Sequence, residues 1–352
     1  PNYIDLYGLE CCEFHDWTAG EDYVHINGGT GDDALGGTGV ADIISGGDGD
    51  DLIGAGPFGS TSFVDKLDGG ANTTTGDTLS LDGANISGKG FIVTMTDTPD
   101  GEGYRDITDT GSQGQVIKYK NFENIMGSDG DDVFAGDTGD NLLAGEGGDD
   151  SIYGGDGNDE LEGGDGDDTV VGGYGDDTIL GGAGMDDLSG DSGDDTFLFY
   201  TGEVEAGESI DGGAENNYDT LRVVTSTDFA GATITGVERL LIDGGATASM
   251  KFGQTTDFTM VNGSSATAET LELTTDNTGG DSVDLSAMSF ADFSDAGDTV
   301  SVTGNIGSDT IEGSTASDTI DGAAGDDDLY GHDGNDTITD RKSTRLNSSH
   351  YS

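Results

Sequence analysis

Single apolar residues recur at nine-residue intervals in three stretches of the chain, and glycine, aspartate and asparagine fill most of the places between them. The longest stretch, residues 127–198, contains eight consecutive nine-residue units, and shorter stretches cover residues 28–54 and 304–339. Every unit begins with glycine and has its apolar residue at the eighth place. Glycines early in the unit allow the positive φ angles of a tight turn, and the last three places are long enough for a strand of about 10 Å. The pattern predicts six residues of turn and three of strand per unit.

A single unit cannot bury its one apolar side chain, so we expect two units to form one coil and unit n to lie on unit n+2. Because neighbouring strands of a sheet lie about 4.8 Å apart, the sixth-place acids should form files such as Asp132, Asp150, Asp168 and Asp186. The predicted core consists of the eighth-place residues, which are Leu35, Ile44, Ile53, Phe134, Leu143, Ile152, Leu161, Val170, Ile179, Leu188, Phe197, Ile311, Ile320, Leu329 and Ile338. The expected fold class is all-β, a parallel solenoid.

The segments between the arrays, residues 55–126 and 199–303, are less regular but rich in β-forming residues. Partial alternation predicts strands at residues 78–81, 91–96 and 115–119. The sequence of residues 68–81 is similar to that of residues 211–223, and the sequence of residues 121–127 is similar to that of residues 236–244. These recurrences predict expanded solenoid coils. Separate globular inserts are the alternative. Residues 1–27 form an N-terminal segment without a clear assignment.

The net charge of −61, from 72 acidic and 11 basic residues, makes the chain self-repelling, and only 32% of its residues are hydrophobic. This composition alone is typical of a disordered acidic chain. In the predicted files, two carboxylates one coil apart repel by about 3 kcal/mol at an effective dielectric constant near 20. Outside the extreme C-terminus the basic residues, Lys66, Lys89, Arg105, Lys118, Lys120, Arg222, Arg239 and Lys251, lie between the arrays. A bound cation is therefore predicted.

Calcium fits this prediction best, because it takes 6 to 8 oxygen ligands at about 2.3–2.6 Å and tolerates irregular geometry. Magnesium requires shorter bonds and near-ideal octahedra, and zinc and iron prefer nitrogen or sulfur ligands. The candidate ligands are the sixth-place carboxylates, Asp33, Asp42, Asp51, Asp132, Asp150, Asp159, Asp168, Asp177, Asp186, Asp195, Asp309, Asp318, Asp327 and Asp336.

The template Gly-Gly-x-Gly-x-Asp-x-apolar-x resembles the RTX (repeats-in-toxin), or hemolysin-type, calcium-binding nonapeptide repeat. The resemblance implies a right-handed parallel β-roll. It also implies backbone carbonyl ligands from the turns, at positions such as Gly155, Gly157, Gly164 and Gly166. Val40, Ala316 and Asn141 depart from the template, so we expect their turns to bind metal weakly or not at all.

The resemblance further implies a secreted or cell-surface protein, exported unfolded by a type I secretion machinery and folding on extracellular calcium. The leading hypothesis is a calcium-binding scaffold, adhesive or surface module. One alternative is the calcium-binding C-terminal region of an exoenzyme, such as a protease, lipase or epimerase, whose catalytic domain lies elsewhere. A soluble calcium buffer is another.

Catalysis is not expected within the chain, because it contains no H-E-x-x-H zinc motif, G-x-S-x-G elbow or phosphate loop. The acidic balance argues against nucleic acid as a partner, and no apolar run approaches the length of a transmembrane span.

Both ends of the chain depart from the repeat pattern. Cys11 and Cys12, with Glu13 and His15, suggest either a soft-metal site or an N-terminal packing segment. Residues 340–352, DRKSTRLNSSHYS, read as the translation of a common sequencing adapter and are expected to contribute nothing to the fold. His25 and His332 are expected to be solvated.

Overall fold

The computed structural model describes residues 3–5, 24–37, 41–56, 64–72, 75–82, 90–96, 102–109, 116–213, 218–255, 257–263, 268–275, 279–291, 293 and 297–341. The chain forms two compact units, Pro1–Asp195 and Thr196–Ser352. Both are built from short strands, and parallel pairing predominates in each. The prediction of an all-β solenoid is confirmed.

The first unit consists of strands that alternate between two sheets. They are β1 (Tyr3–Asp5), β2 (Val24–Thr30), β3 (Ala34–Gly36), β4 (Asp42–Asp48), β5 (Leu52–Gly54), β6 (Lys66–Ala71), β7 (Thr78–Ser80), β8 (Phe91–Thr94), β9 (Arg105–Asp109), β10 (Val116–Lys120), β11 (Asn124–Ser128), β12 (Val133–Ala135), β13 (Leu142–Gly147), β14 (Ser151–Asp156), β15 (Glu160–Asp165), β16 (Thr169–Tyr174), β17 (Thr178–Ala183) and β18 (Asp187–Ser192). One sheet has the order β1-β3-β5-β7-β11-β13-β15-β17, and the other β2-β4-β6-β10-β9-β8-β12-β14-β16-β18.

The register of the long array places each unit on the unit two places earlier. Leu161 on β15 pairs with Ile179 on β17, and Ile152 on β14 pairs with Val170 on β16. The eighth-place side chains of residues 127–198 are all buried, with 0–1% of their surface exposed. The predicted two-unit coil and its core are therefore confirmed in this array.

The strands of the long array are longer than predicted. β14 to β18 each contain six residues, which are the last three places of one unit and the first three of the next. The first two glycines extend the strand because the backbone of the next coil can approach them closely. A three-residue strand, as predicted, occurs at β12 and is followed by a different kind of turn.

The segment 55–126 forms expanded coils and one antiparallel excursion. β6 pairs in parallel with β4, and β7 lies between β5 and β11, which confirms the expanded coil predicted from residues 68–81. The strands predicted at 78–81, 91–96 and 115–119 correspond to β7, β8 and β10. β9, which was not predicted, pairs antiparallel with both β8 and β10, so this part of the sheet departs from the expected parallel pairing.

The second unit contains the strands β19 (Thr196–Phe199), β20 (Ser209–Asp211), β21 (Thr220–Val223), β22 (Thr227–Asp228), β23 (Thr233–Thr235), β24 (Arg239–Ile242), β25 (Thr247–Lys251), β26 (Met260–Asn262), β27 (Thr270–Thr274), β28 (Ser282–Asp284), β29 (Ser289–Ala291), β30 (Thr299–Thr303), β31 (Thr310–Glu312), β32 (Asp318–Asp321), β33 (Asp328–Tyr330) and β34 (Thr337–Thr339). Their parallel orders within this unit are β19-β21-β24-β26-β29, β20-β23, β22-β25-β27-β30-β32-β34 and β28-β31-β33. A one-turn 3₁₀ helix spans Phe252–Thr255.

The core of the second unit combines regular and irregular positions. Phe199 and Phe229 pack edge to face with their ring centroids 5.1 Å apart. Ile311 and Ile320 are buried as predicted, whereas Ile338 is 46% exposed. Ile338 pairs in register with Ile320 and so faces the predicted side, but the burial predicted for it is wrong, because no described coil covers the outer side of β34. Leu329 on β33 is only half-buried.

Three smaller expectations can be compared with the structure. His25 is exposed, and the half-exposed His332 places its Nε2 atom 3.2 Å from Glu312 Oε2. Arg341 forms an ion pair with Asp321 at 2.7 Å. Cys11, Cys12, His15, Val40 and residues 342–352 lie outside the described residues. Within the described part of the chain, no helix has the length and apolar character needed to cross a membrane.

Candidate metal sites

The sixth-place aspartates of the long array form the predicted files, and a hydrogen bond joins each coil to the next. The backbone N–H of Asp150 donates to Asp168 Oδ1 at 2.7 Å, and that of Asp159 donates to Asp177 Oδ1 at 2.7 Å. The same contact joins Asp132 to Asp150, Asn141 to Asp159, Asp168 to Asp186 and Asp177 to Asp195. One oxygen of each of these carboxylates, Oδ1, therefore accepts a backbone hydrogen bond from the preceding coil.

These hydrogen bonds change the energetics expected from the sequence. The predicted repulsion treated successive carboxylates as bare charges, but a backbone N–H dipole lies between each pair. A hydrogen bond from an amide to a charged acceptor contributes about 1.5–3 kcal/mol. The repulsion within a file is thus partly offset by the protein itself.

The second oxygen of four carboxylates in the long array is buried and has no hydrogen-bond partner. These atoms are Oδ2 of Asp150, Asp159, Asp168 and Asp177. Each side chain is almost completely buried, with Asp159 only 2% exposed. A buried carboxylate oxygen without a donor costs free energy, so these four atoms mark positions where a positive ligand would stabilise the fold.

Burial also raises the pKa values of these carboxyl groups. Desolvation raises the pKa of Asp150 to about 8, opposed by the hydrogen bond from Asp132 and reinforced by the charges of Asp132 and Asp168. The same cause raises the pKa of Asp177 to about 7, and those of Asp159 and Asp168 to about 6. Without a cation, the protein environment therefore disfavours the charged form of each group.

The unpartnered oxygens face a narrow space beside the first glycine of their own unit. A Cβ atom on Gly154 would contact Asp159 Oδ2 and would lie 2.6 Å from the carbonyl oxygen of Gly172 in the next coil. A Cβ on Gly145 would likewise contact Asp150 Oδ2 and lie 2.5 Å from Gly163 O. Acceptor oxygens thus converge where any larger residue would clash, which explains glycine at the first place.

The four carbonyl groups predicted as ligands belong to glycines with positive φ. The angles are 117° at Gly155, 129° at Gly157, 117° at Gly164 and 146° at Gly166. Their carbonyl oxygens contact the position that a Cβ would take on the same-place glycine of the next coil, which is Gly173, Gly175, Gly182 and Gly184 respectively. All four carbonyls therefore face the space between coils.

No group of three or more Asp, Glu, His or Cys side chains gathers around one point within the described residues. A cation bound between the coils would therefore need one or two carboxylates together with backbone carbonyl oxygens. Calcium accepts such a mixed oxygen set. The buried unpartnered Oδ2 atoms and the crowded carbonyls fit this ion, and the sixth-place carboxylates and turn carbonyls are the groups that would hold it.

The same ladder continues in the two shorter arrays. Asp33 donates its N–H to Asp51 Oδ1 at 2.8 Å, and Asp309 donates to Asp327 Oδ1 at 2.9 Å. Asp318 likewise donates to Asp336, whose side chain is only partly buried. The ligand roles assigned from the sequence remain predictions for all the sixth-place aspartates and for the four turn glycines, which are Asp33, Asp42, Asp51, Asp132, Asp150, Asp159, Asp168, Asp177, Asp186, Asp195, Asp309, Asp318, Asp327, Asp336, Gly155, Gly157, Gly164 and Gly166.

Two residues in equivalent positions were missed from the sequence. The N–H of Asp42 donates to Asp65 Oδ1 at 2.9 Å, and that of Asp51 donates to Asp77 Oδ1 at 2.8 Å. Asp65 and Asp77 therefore occupy the sixth place of expanded coils. The sequence feature that could have identified Asp77 is the Asp-Thr-Leu segment at residues 77–79, which reproduces the sixth, seventh and eighth places of the unit after a lengthened turn.

A second ladder on the exposed side was also missed. Fifth-place carboxylates accept an N–H from the coil that follows, as Asp149 does from Asp167 at 3.1 Å and Asp167 does from Met185 at 2.9 Å. Its direction is opposite to that of the sixth-place ladder. Adjacent aspartates at the fifth and sixth places thus attach one coil to both of its neighbours.

Comparison with known families agrees with these features. Residues 126–161, 162–197 and 303–338 match the family model of the RTX calcium-binding nonapeptide repeat. No curated protein matches the chain. The matched segments coincide with the arrays at 127–198 and 304–339, while the array predicted at 28–54 rests on the template and on its ladder.

Proposed function

Because the chain carries RTX calcium-binding nonapeptide repeats, we propose that it is a region of a secreted protein that folds when it binds extracellular calcium. The observation that carries this proposal is the set of buried carboxylate oxygens without a donor at Asp150, Asp159, Asp168 and Asp177. A fold that buries such atoms is costly in the absence of a cation and favourable in its presence.

The charge distribution supports the same coupling. Residues 127–198 contain no Lys or Arg, and the three described lysines of the first unit form ion pairs outside this array. Lys66 lies 2.6 Å from Glu102, Lys118 lies 2.8 Å from Asp106, and Lys120 lies 2.9 Å from Asp68. These lysines stabilise the expanded coils, so the long array depends on ions from solution.

Coupled folding gives export a physical rationale. Where calcium is scarce, as in a bacterial cytosol, the acidic chain remains extended. Where calcium is abundant, binding free energy becomes folding free energy. We therefore propose export of the unfolded chain through a type I secretion machinery and folding outside the cell or at its surface.

In the folded state we propose a scaffold, adhesive or surface role and no catalytic step within this chain. Each coil presents side chains at equivalent places at regular intervals, which suits display or spacing of other groups. The proposal leaves open a catalytic domain elsewhere in the parent protein.

A calcium titration of the whole chain tests the proposal. Far-ultraviolet circular dichroism should change from coil to β structure as calcium is added, and magnesium at the same concentration should produce a much smaller change. A calcium buffer would bind the ion without this transition. An equally ordered protein after exhaustive chelation at low ionic strength would refute calcium-coupled folding.

A further inference from the structure

The turns of the solenoid fall into two classes that differ at the second place of the unit. In four units, which begin at Gly127, Gly136, Gly304 and Gly313, the second-place N–H donates to the sixth-place side chain of its own unit, to Oδ2 of an aspartate or to Oδ1 of Asn141. The pairs are Ser128–Asp132 at 2.8 Å, Asp137–Asn141 at 2.9 Å, Asn305–Asp309 at 2.9 Å and Ser314–Asp318 at 2.8 Å. We call these turns closed.

A second hydrogen bond completes each closed turn. The second-place side chain accepts the fourth-place N–H, as in Gly139 to Asp137 at 2.9 Å and Ala316 to Ser314 at 2.9 Å. Gly130 and Gly307 make the equivalent bonds to Ser128 and Asn305. Ser, Asp and Asn are the residues whose side chains form such local turns.

The remaining described turns, which we call open, have a second-place residue at positive φ. In the nonapeptide units these residues are Gly29, Gly47, Glu146, Gly155, Gly164, Gly173, Gly182, Asp191, Ala323 and His332. The fourth-place N–H of an open turn leaves its own unit, as Gly157 donates to Tyr174 O and Gly166 donates to Ala183 O, both at 2.8 Å. Buried Oδ2 atoms without a partner occur at Asp51, Asp150, Asp159, Asp168, Asp177 and Asp327, all in open turns.

The natural sequence contains one closed turn whose sixth place carries no charge. Asn141 Oδ1 accepts the N–H of Asp137, and its Nδ2 donates to Glu123 O at 2.8 Å. Both polar atoms of this amide are satisfied inside the protein. A closed turn thus requires an acceptor at the sixth place and does not require an anion.

We propose that the backbone conformation at the second place of each unit determines whether its turn depends on calcium: open turns, with positive φ there, bind the ion, and closed turns form without it. This inference rests on the proposed calcium-binding function. It predicts that the sixth-place carboxylates of closed turns, Asp132, Asp309 and Asp318, hold no ion, although the repeat template assigns them to sites. Closed turns begin both longer arrays, so metal-independent coils precede the calcium-dependent ones.

The proposal also adds a site outside the nonapeptide arrays. Gly70 has a φ of 120°, and Asp77 is buried, with 0% of its surface exposed and its Oδ2 atom unpartnered. A Cβ on Gly69 would contact both Asp77 Oδ2 and the carbonyl oxygen of Asn121. Gly70 and Asp77 therefore share the positive φ and the buried, unpartnered Oδ2 of an open turn, and Asp77 is assigned as a calcium ligand.

Isosteric substitutions in the whole chain test the two classes against each other. The number of bound calcium ions is measured by equilibrium dialysis for Asp132→Asn and Asp318→Asn in closed turns, and for Asp77→Asn and Asp159→Asn in open turns. The closed-turn variants should bind as many ions as the unsubstituted chain, and each open-turn variant should lose at least one. Equal losses in both classes, or no loss for Asp77→Asn, would overturn the proposal.

A gain of binding provides a second test that does not depend on the stability of the open-turn variants. Ser128→Gly converts the first unit of the long array to Gly-Gly-Asp-Gly-Asp-Asp and removes the side-chain acceptor that closes the turn. It should bind one additional calcium ion. An unchanged number would overturn the proposal, whereas failure of the unsubstituted chain to bind calcium would instead refute the proposed function.

Discussion

The substitution Ile179→Ala tests whether the eighth-place residues form the core on which calcium-coupled folding depends. Ile179 is fully buried on β17 and pairs in register with Leu161 on the neighbouring coil. Truncating a buried Ile to Ala costs about 2–5 kcal/mol, because apolar contacts are lost and a cavity remains. This is a large part of the about 5–15 kcal/mol by which a domain is usually stable.

The expected effect on calcium dependence follows from the number of open turns in the long array. The long array has six open turns, whose second-place residues are Glu146, Gly155, Gly164, Gly173, Gly182 and Asp191, so we take six ions as bound together on folding. A loss of about 2–5 kcal/mol, at about 1.36 kcal/mol per tenfold change and shared among about six ions, raises the calcium midpoint about two- to fourfold.

The assay is a calcium titration followed by circular dichroism. Tyr174→Ala is the control, because Tyr174 lies in the same nine-residue unit as Ile179 and is 69% exposed. The control should leave the midpoint unchanged. A midpoint for Ile179→Ala equal to that of the unsubstituted chain would show that the eighth place does not support the folded state.

Three further outcomes are expected. Gly157→Ala should lower the melting temperature measured in calcium, because φ at Gly157 is 129° and the new Cβ would lie 2.5 Å from Gly139 O. The control Gly139→Ala should be tolerated, because the nearest atom to its new Cβ is Asp137 Oδ1 at 3.5 Å. Equal effects of the two substitutions would contradict the close approach of the coils at Gly157. Asp159→Ala with Asp177→Ala should reduce the number of bound ions in equilibrium dialysis, and the exposed third-place variant Asp156→Ala should not; an unchanged number in the double variant would contradict the ligand assignment. In the presence of a chelator, β structure should decrease as pH rises from 5 to 8, because the folded protein keeps protons on buried carboxyl groups whose pKa values are raised from 3.8 to about 6–8, and the unfolded chain has already lost them. Calcium affinity should increase over the same pH range. An increase of β structure with pH in circular dichroism would contradict this linkage.

The periodic pattern of the sequence was sufficient to predict the coil, its register and most of its core. An apolar residue every ninth place, with one strand per unit, permits a parallel stack offset by eighteen residues, as Leu161 and Ile179 show. The strand length was not predictable in the same way. Whether the first two glycines continue the strand depends on the backbone of the neighbouring coil, which is tertiary information.

The site was predicted in composition and only partly in geometry. The sixth-place files and the positive φ angles at Gly155 and Gly157 agree with the expectation from the template. Asp77 was missed because the template fixes the distance from glycine to aspartate, and an insertion lengthens this turn. The two classes of turn were only partly readable from the sequence, because Ser, Asp or Asn at the second place favours a local side-chain turn, yet Asp191 adopts a φ of 65° in an open turn.

The antiparallel excursion of β9 illustrates a different limit. The strand β9 (Arg105–Asp109) contains charged residues, and one of them forms an ion pair with a lysine on the neighbouring antiparallel strand. Lys118 on β10 contacts Asp106 on β9, and Lys66 and Lys120 lie over the ring of Tyr104 at 5.6 and 4.5 Å from its centroid. Such cross-strand contacts depend on which strands meet, and the local pattern does not specify this.

The two oxygens of the sixth-place carboxylate explain why aspartate occupies this position in open turns. Oδ1 of Asp177 accepts the N–H of Asp159 in the preceding coil, and Oδ2 remains for a cation. An asparagine could supply the first contact but would place an NH₂ group at the second position, where it would repel the ion. Glutamate would add a methylene to a space already in contact with the first-place glycine. Asn141 is tolerated because Asp137 closes its turn, so an acid at the sixth place is required only where the second place leaves the turn open.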